Sequence, residues 1–204
     1  MGSFSRRSFL LALLLVGLAG GCSGGDGSGA GRSSRPRAAA TTQAGPYAFA
    51  ITGAAVRAMA PQAPAFPPDV SAAVKASLDT WLGNAVVGPL RTGKPSTGLD
   101  TVFTEPALGR ISTAGAERSA MIEEVGTLRG KVQQDRANAD LTAVTTPGGE
   151  VAFVTAQIDL RDAVRSGDGY VDVVRGGELV LVPDRGTWRI DAFDVVVHRD
   201  TRAK

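Results

Sequence analysis

The chain has 204 residues, of which 43% are hydrophobic and 21% charged, a balance that excludes a wholly disordered chain and a polytopic membrane protein. Its single cysteine and single histidine exclude an intrachain disulfide, a cysteine cluster for zinc or iron–sulfur, and any site that needs two histidines. Arg6 and Arg7 lie in a segment that is predicted below to be removed. Without them 20 basic and 20 acidic residues remain, so the mature chain has no net charge. A neutral chain lacks the electrostatic footprint of nucleic-acid binding, so we expect no nucleic-acid partner.

Residues 1–21 have the three parts of an export signal. Arg6 and Arg7 form a basic start. Residues 9–18 form an apolar run, and small residues then lead to Cys22. About ten apolar residues make about 15 Å of helix, half of a membrane's hydrocarbon core, so the run is too short for a stable span. We therefore predict a cleaved signal peptide, with a short uncleaved anchor as the alternative.

The basic start also resembles a twin-arginine signal, which a translocase for folded proteins recognises. That signal pairs two adjacent arginines with a following Phe-Leu. Leu11 stands where it commonly has a lysine. The resemblance implies export by the twin-arginine route, and the general secretory route is the alternative. The residues that carry the resemblance are Arg6, Arg7, Phe9 and Leu10.

The end of the apolar run resembles the bacterial lipobox, in which small residues precede a cysteine that is diacylated and becomes the N-terminus. Here the matching residues are 18–22, and Ala19 stands where the motif usually has leucine. The resemblance implies cleavage before Cys22 and lipid attachment to its thiol. Because two acyl chains give lasting membrane attachment, we expect the mature protein on the outer face of the cytoplasmic membrane.

Residues 22–45 are rich in Gly, Ser, Ala and Thr and contain no large apolar side chain. Such a segment cannot offset the entropy of ordering by burial, so we predict a flexible tether that reaches about 25 Å from the anchor. From residue 46 the composition becomes that of a packed domain. We therefore predict a single domain over 46–204.

The first half of this domain has a helical pattern. Apolar residues recur at three- and four-residue spacing over 70–82, which predicts a helix that Asp69 caps and that the Gly-Pro pair at 88–89 ends. Two shorter helices are predicted within 97–112 and 117–125.

After Gly130 the apolar period changes to two residues, which predicts antiparallel strands joined by tight turns. The pair Gly176 and Gly177 is expected to interrupt one strand. In the last strand the apolar phase slips by one residue at Asp191 and Ala192, which predicts a β-bulge. The predicted strands cover 139–145, 151–160, 170–182 and 187–199, and 47–51 is either a first strand or an ordered arm.

These elements predict an α+β domain in which a long N-terminal helix and short helices pack on a curved antiparallel sheet of four or more strands. Residues 178–195 resemble the closing hairpin of the nuclear transport factor 2-like superfamily, a cystatin-like fold. The resemblance covers 66–199 and implies a cone of helix over sheet, a pocket between the two, and a homodimer formed through the sheet. Superfamily members include isomerases, dehydratases, hydrolases and noncatalytic domains, so the fold leaves the function open. The residues that carry the signature are Leu181, Val182, Gly186, Trp188, Arg189, Ile190 and Asp191.

An isomerase-like pocket would need an inward carboxylate as base, with a tyrosine or a second acid as hydrogen-bond donor. The strand carboxylates Asp159, Asp172 and Asp191 alternate with apolar neighbours, so we expect them to face solvent. We therefore assign no catalytic residue. The candidate pocket residues are Trp81, Tyr170, Trp188 and Phe193, of which Tyr170 is also the candidate donor.

Other charged residues are predicted to carry no chemistry. Glu123-Glu124 and Arg161-Asp162 are expected to be solvated, and His198 is expected to be an exposed strand end without the nucleophile elbow that a relay needs. We predict no cofactor and no metal. The favoured function is a membrane-tethered, noncatalytic module that binds an envelope protein or a small apolar or glycan ligand. The alternative is an envelope isomerase, dehydratase or hydrolase that uses a pocket carboxylate.

Overall fold

A five-stranded mixed sheet carries helices on one of its faces, which confirms the α+β class. The computed structural model describes residues 47–57, 65–124, 128, 130–166 and 169–202, and all of them belong to one compact unit. The predicted export signal, Cys22 and the tether lie outside these residues. The helices are α1 (Pro68–Trp81), a π-helical segment (Leu82–Val87), α2 (Gly88–Thr92), α3 (Leu99–Val102), α4 (Glu105–Ile111) and α5 (Ala116–Met121). The strands are β1 (Ala50–Arg57), β2 (Val132–Thr145), β3 (Val151–Ser166), β4 (Gly169–Asp184) and β5 (Thr187–Arg202).

The strands lie side by side in chain order, from β1 to β5, and the sheet is not closed. Strands β2 to β5 form an antiparallel meander, as predicted. Strand β1 pairs with β2 in parallel, so the expectation of a wholly antiparallel sheet is wrong. The described helices all lie between β1 and β2 in the chain, and this long crossover lets the chain return to start β2 in the same direction.

Helix α1 begins before the predicted cap. Its N-cap is Pro67 and Pro68 stands in its first turn, so Asp69 lies inside the helix and does not cap it. Proline suits this place because the first N–H groups of a helix have no partner within the helix. Asp69 still lies in the first turn, where a negative charge interacts favourably with the helix dipole.

The predicted long helix is divided near its end. Helix α1 stops at Trp81, yet the Gly-Pro pair does not end the helical path, because the π-helical segment carries it into α2. The N–H of Gly88 donates to the carbonyl of Gly83 across the wider π turn, and Pro89 enters α2 in its first turn. Gly93, with a φ of 65°, ends α2 in the left-handed conformation.

The shorter helices differ in detail from the predicted ones. Residues 97–112 hold two helices, α3 and α4, and Pro106 lies in the first turn of α4, where its missing N–H has no consequence. Helix α5 takes the place of the helix predicted over 117–125, but it ends at Met121.

The last turn and the bulge of the meander follow the predictions. Arg185 and Gly186 join β4 to β5 with φ angles of 48° and 79°, and two positive φ angles are what a two-residue type I′ hairpin requires. The register of β4 against β5 shifts between Val180 and Leu181, which leaves Asp191 as the extra residue and confirms the bulge.

The glycine pair in β4 does not interrupt the strand, contrary to the prediction. The φ of Gly177 is 146°, and a Cβ at this residue would lie 2.1 Å from the carbonyl oxygen of Asp194. A Cβ at Gly176 would meet only the carbonyl oxygen of Ile158, at 3.8 Å. Gly177 therefore allows β5 to approach β4 closely while the pairing continues.

The helices cover one side of the sheet, which we call the helix face, and the other side is the open face. On the helix face of β3 the side chains of Val154, Ala156, Ile158 and Leu160 are all buried, as the alternation predicts. They share one hydrophobic core with buried residues of the helices. On the open face Val196 is 57% exposed.

Candidate functional site

Three charged side chains are buried together on the helix face. Glu123, Asp162 and Arg175 are 1%, 0% and 0% exposed, and we call them the buried charge cluster. The expectation that Glu123 and Asp162 are solvated is therefore wrong. Strand β3 continues past Leu160 to Ser166, and the next position on its helix face is that of Asp162.

Glu123 accepts hydrogen bonds from two guanidinium groups. Its Oε1 lies in contact with Nη2 of Arg175 and 2.9 Å from Nη2 of Arg199. Arg175 also donates from Nε to the carbonyl of Ala120 at 3.0 Å. Two cations on one carboxylate compensate the desolvation that a buried charge otherwise suffers.

Asp162 lies beside this ion pair without joining it. Neither of its carboxylate oxygens has a hydrogen-bond partner among the described residues. Burial raises the pKa of Asp162 to about 7; Arg175 opposes this shift, while Glu123 and Asp135 add to it. Near neutral pH this group is therefore divided between its acid and carboxylate forms.

Residues 120–123, at the end of α5 and just after it, are held to α1, to the π-helical segment and to β4 by buried hydrogen bonds. Nε1 of Trp81 in α1 donates to the carbonyl of Met121 at 2.9 Å. The N–H of Glu123 donates to the carbonyl of Ala85 in the π-helical segment at 2.8 Å. In a regular helix that carbonyl would accept from residue 89, but Pro89 has no N–H. The helical path thus presents a carbonyl that holds the backbone of Glu123.

The chemistry open to the buried charge cluster is limited by access. A group that titrates near neutral pH suits general acid–base catalysis, but such a group must reach its substrate. Asp162 is 0% exposed and does not reach solvent. A depression of about 140 Å³ lies at the outer edge of the cluster, where Arg199 contacts Glu123. Its lining residues are Ser119, Ile122, Glu124 and Arg199.

A larger depression, of about 330 Å³, lies across β2 to β5, and we call it the Tyr170 depression. Ala163 on β3 pairs with Gln133 on one side and with Asp172 on the other, while Tyr170 pairs with Arg202. The small side chain of Ala163 between these longer ones leaves the space. The lining residues are Gln133, Asp135, Ala163, Tyr170 and Arg202.

Asp172 lies beside this depression and does not face solvent as predicted, since it is only 5% exposed. It accepts a hydrogen bond from Nη2 of Arg161 at 2.9 Å and another from Nη2 of Arg202. Burial alone would raise the pKa of Asp172, but these two hydrogen bonds and the charges behind them outweigh burial and lower it. Two long arginine side chains thus cover a carboxylate on the open face.

The other sequence candidates occupy separate places. Asp159 makes a half-exposed ion pair with Arg136 at 2.9 Å. Asp191, at the bulge, is partly buried and accepts a hydrogen bond from Oγ1 of Thr104 at 2.7 Å. His198 is exposed on β5, as predicted.

The four candidate pocket residues do not meet in one pocket. Trp81 is fully buried and stacks on Phe49 with ring centroids 6.1 Å apart. Phe193 is buried under the guanidinium of Arg110, which lies 4.0 Å from its ring centroid. Trp188 is half-buried against the core. Tyr170 alone among the four lines a depression described above.

Comparison with known proteins identifies no relative: no family model, no curated protein and no solved structure matches the chain. Within the described ranges, every helix is too short or too polar to cross a membrane. The same ranges hold no group of three or more His, Cys, Asp or Glu side chains arranged to bind a metal ion.

Proposed function

We propose that the protein is a bacterial lipoprotein, exported by a twin-arginine signal and held on the outer face of the cytoplasmic membrane by diacylated Cys22, and that its domain binds a ligand without catalysis. The proposed location is supported by the order of three features along the chain. A basic pair is followed by a short apolar run and then by small residues that lead to the only cysteine. A lone thiol in an exported protein is open to oxidation, and acylation removes that liability.

The state of the carboxylates carries the noncatalytic part of the proposal. Glu123 and Asp172 are each hydrogen-bonded by two arginines. Asp162 is closed off from solvent. A catalytic acid or base must meet its substrate with an oxygen that is free to exchange a proton. These three groups instead support a role in folding and in balancing charge.

We also propose a distant relation to the nuclear transport factor 2-like superfamily. The α+β class, the antiparallel meander and the signature between Leu181 and Asp191 support it. The parallel β1 and the divided first helix are departures from the expected cone.

Lipid attachment is tested by replacing Cys22→Ser in the full chain expressed in a bacterial host that processes lipoproteins. We expect the variant to leave the membrane fraction and to lose the diacylglyceryl mass, because the acyl chains are the attachment. The control is Ser23→Ala, one residue away, which should remain in the membrane. Wild-type protein that retains Met1 and an unmodified thiol would contradict the proposal.

The open face supports a second copy of the chain as partner. Val196 is its most exposed large apolar residue among those described, and Gly176 opposite it on β4 leaves the surface low. In sedimentation velocity of the full chain with Cys22→Ser, we expect a dimer that Val196→Asp converts to monomer, because the new charge would be buried. Thr113→Asp, exposed between α4 and α5 on the helix side, is the control and should remain dimeric. If the chain with Cys22→Ser alone is monomeric at every concentration, the proposed homodimer is contradicted.

A second candidate function is an envelope enzyme with Asp162 as its base, favoured by the pKa of about 7. It requires the segment 120–123 to open. The N–H of Glu123 donates a hydrogen bond to the carbonyl of Ala85, and its rate of hydrogen exchange distinguishes the two functions. Exchange as slow as that of the β3 core favours the binding module, and exchange within seconds favours the enzyme.

A further inference from the structure

The Tyr170 depression lies on the open face of the sheet. Strand residues alternate between faces, and Asp162 points to the helix face, so its neighbour Ala163 belongs to the open face. Ala163 is also absent from the hydrophobic core that the helices share with the sheet. Tyr170 follows by its cross-strand pairing with Arg165, two residues further along β3. The depression therefore opens on the side of the sheet opposite the buried charge cluster.

Its walls combine an aromatic ring with planar polar groups. Tyr170 is partly exposed and supplies the ring. Nε2 of Gln133 donates to Oδ1 of Asp135 at 3.1 Å, which holds an amide and a carboxylate side by side. Arg202, with its side chain 54% exposed, forms the opposite wall and is fixed by its ion pair with Asp172. Donors and acceptors are thus both present around one ring.

The charges around the depression cancel among the described residues. Two cations and two anions line it or pair with a lining residue across the strands. An anion site would have an excess of arginine, and a cation site an excess of carboxylate. Neither excess exists among these residues, so the electrostatics favour an uncharged ligand that is rich in hydroxyl groups. The four residues are Arg165, Arg202, Asp135 and Asp172.

We propose that the Tyr170 depression binds an uncharged carbohydrate one or two rings in size, which rests on the proposed function of a binding module and names its ligand class. A sugar ring has an apolar C–H face that stacks on the Tyr170 ring, while its hydroxyl groups donate to Asp135 and accept from Arg202. The volume of about 330 Å³ lies at the lower end of ligand pockets, which limits the occupant to a small saccharide.

The test is saturation-transfer NMR on the full chain with Cys22→Ser. The probes are glucose, mannose, galactose, arabinose and N-acetylglucosamine with their di- to tetrasaccharides, and glucuronate and glucosamine are the anionic and cationic arms. We expect transfer to an uncharged sugar, about tenfold weaker affinity in Tyr170→Ala, and retention in Tyr170→Phe, which keeps the ring. The matched control is Gln157→Ala, exposed on the same face outside the depression, which should bind like the parent.

The inference is overturned if no uncharged sugar receives saturation, if only a charged arm binds, or if Tyr170→Ala binds as well as the parent. Near-UV circular dichroism of each variant keeps misfolding separate from loss of contact. Failure here is distinguishable from failure of the proposed anchor. An acylated Cys22 with no sugar binding removes only the carbohydrate ligand, and sugar binding with an unmodified Cys22 removes only the membrane location.

Discussion

The two faces of the sheet treat a buried aspartate in opposite ways. Asp162 on the helix face and Asp172 on the open face are 0% and 5% exposed. Both lie near arginines, yet burial raises the pKa of Asp162 to about 7, whereas hydrogen bonds from Arg161 and Arg202 lower that of Asp172. The difference lies in hydrogen bonding, because the arginines around Asp172 donate to it directly and Arg175 donates to Glu123 instead.

The comparison shows that a nearby charge does not replace a hydrogen bond in a protein interior. Coulomb attraction to Arg175 acts on Asp162, but it does not offset the lost hydration of two oxygens that have no hydrogen-bond partner in the described part of the chain. On the open face, flexible arginine side chains reach over the carboxylate and satisfy it. The helix face therefore holds the group whose protonation responds to pH near neutrality.

The largest effect is expected when the ion pair of the buried charge cluster is removed. Arg175→Met leaves Glu123 buried with only the partly exposed Arg199 as a partner, so we expect a loss of about 3–5 kcal/mol in the free energy of unfolding. Urea denaturation followed by tryptophan fluorescence measures it. The control Arg136→Met breaks the half-exposed pair with Asp159 and should change stability by about 0–1 kcal/mol. Equal losses in both variants would show that burial of the cluster is unimportant.

The next effect concerns pH. The folded protein keeps the Asp162 proton up to about pH 7, while the unfolded chain releases it near the ordinary value of 3.8. The contribution of this group to stability is therefore complete below pH 3.8 and is lost as pH rises to 7, a fall on the order of 4 kcal/mol. Asp162→Asn stays neutral and should remove this fall. An unchanged pH profile of unfolding would refute the assignment.

The open face should show the opposite slope. Because the folded-state pKa of Asp172 is lowered, its contribution is present above the ordinary aspartate pKa and is lost as pH falls through the lowered value. Asp172→Asn should therefore flatten the acid side of the stability profile and leave the neutral side unchanged. If Asp162→Asn and Asp172→Asn alter the same pH range, the contrast between the faces is wrong.

The smallest effect tests the backbone beneath the two faces. Gly177→Ala places a Cβ 2.1 Å from the carbonyl oxygen of Asp194 at a φ of 146°, so β5 must move away. We expect a loss of about 2–3 kcal/mol in thermal or urea unfolding. Gly176→Ala is the matched control, since its Cβ meets only Ile158 at an ordinary 3.8 Å. Similar losses in the two variants would contradict a close approach specific to Gly177.

Local patterns in the sequence predict much of the sheet. Two-residue alternation finds four strands, and the phase slip finds the bulge at Asp191, because both signals lie within a few neighbouring residues. Such local signals do not predict the parallel pairing of β1 with β2, because it depends on where the chain returns to the sheet after its helices. The Gly-Pro pair does not end the helical path as predicted, because a π turn accommodates the proline.

The candidate sites were less accessible to sequence reasoning. Extending the alternation of β3 by one step beyond Leu160 places Asp162 on the helix face, so a signal for this residue was present. Glu123 had none, since it follows a short helix and its partner Arg175 comes 52 positions later in the chain. Tyr170 is a candidate because of its chemistry alone, whereas its surroundings depend on the cross-strand register that sets Ala163 beside Gln133.

The carbonyl of Ala85, which receives no N–H from Pro89, links the helices to the ion pair between Glu123 and Arg175 on the sheet. Pro89 has no N–H to donate to Ala85, the N–H of Glu123 donates to that carbonyl, and the carboxylate of Glu123 contacts Arg175. A regular α-helical turn with an N–H at position 89 would direct a second donor at the same carbonyl, which Glu123 would then have to share. A change in the backbone of the π-helical segment would therefore displace Glu123 and weaken its ion pair with Arg175, which lies in the second half of the chain.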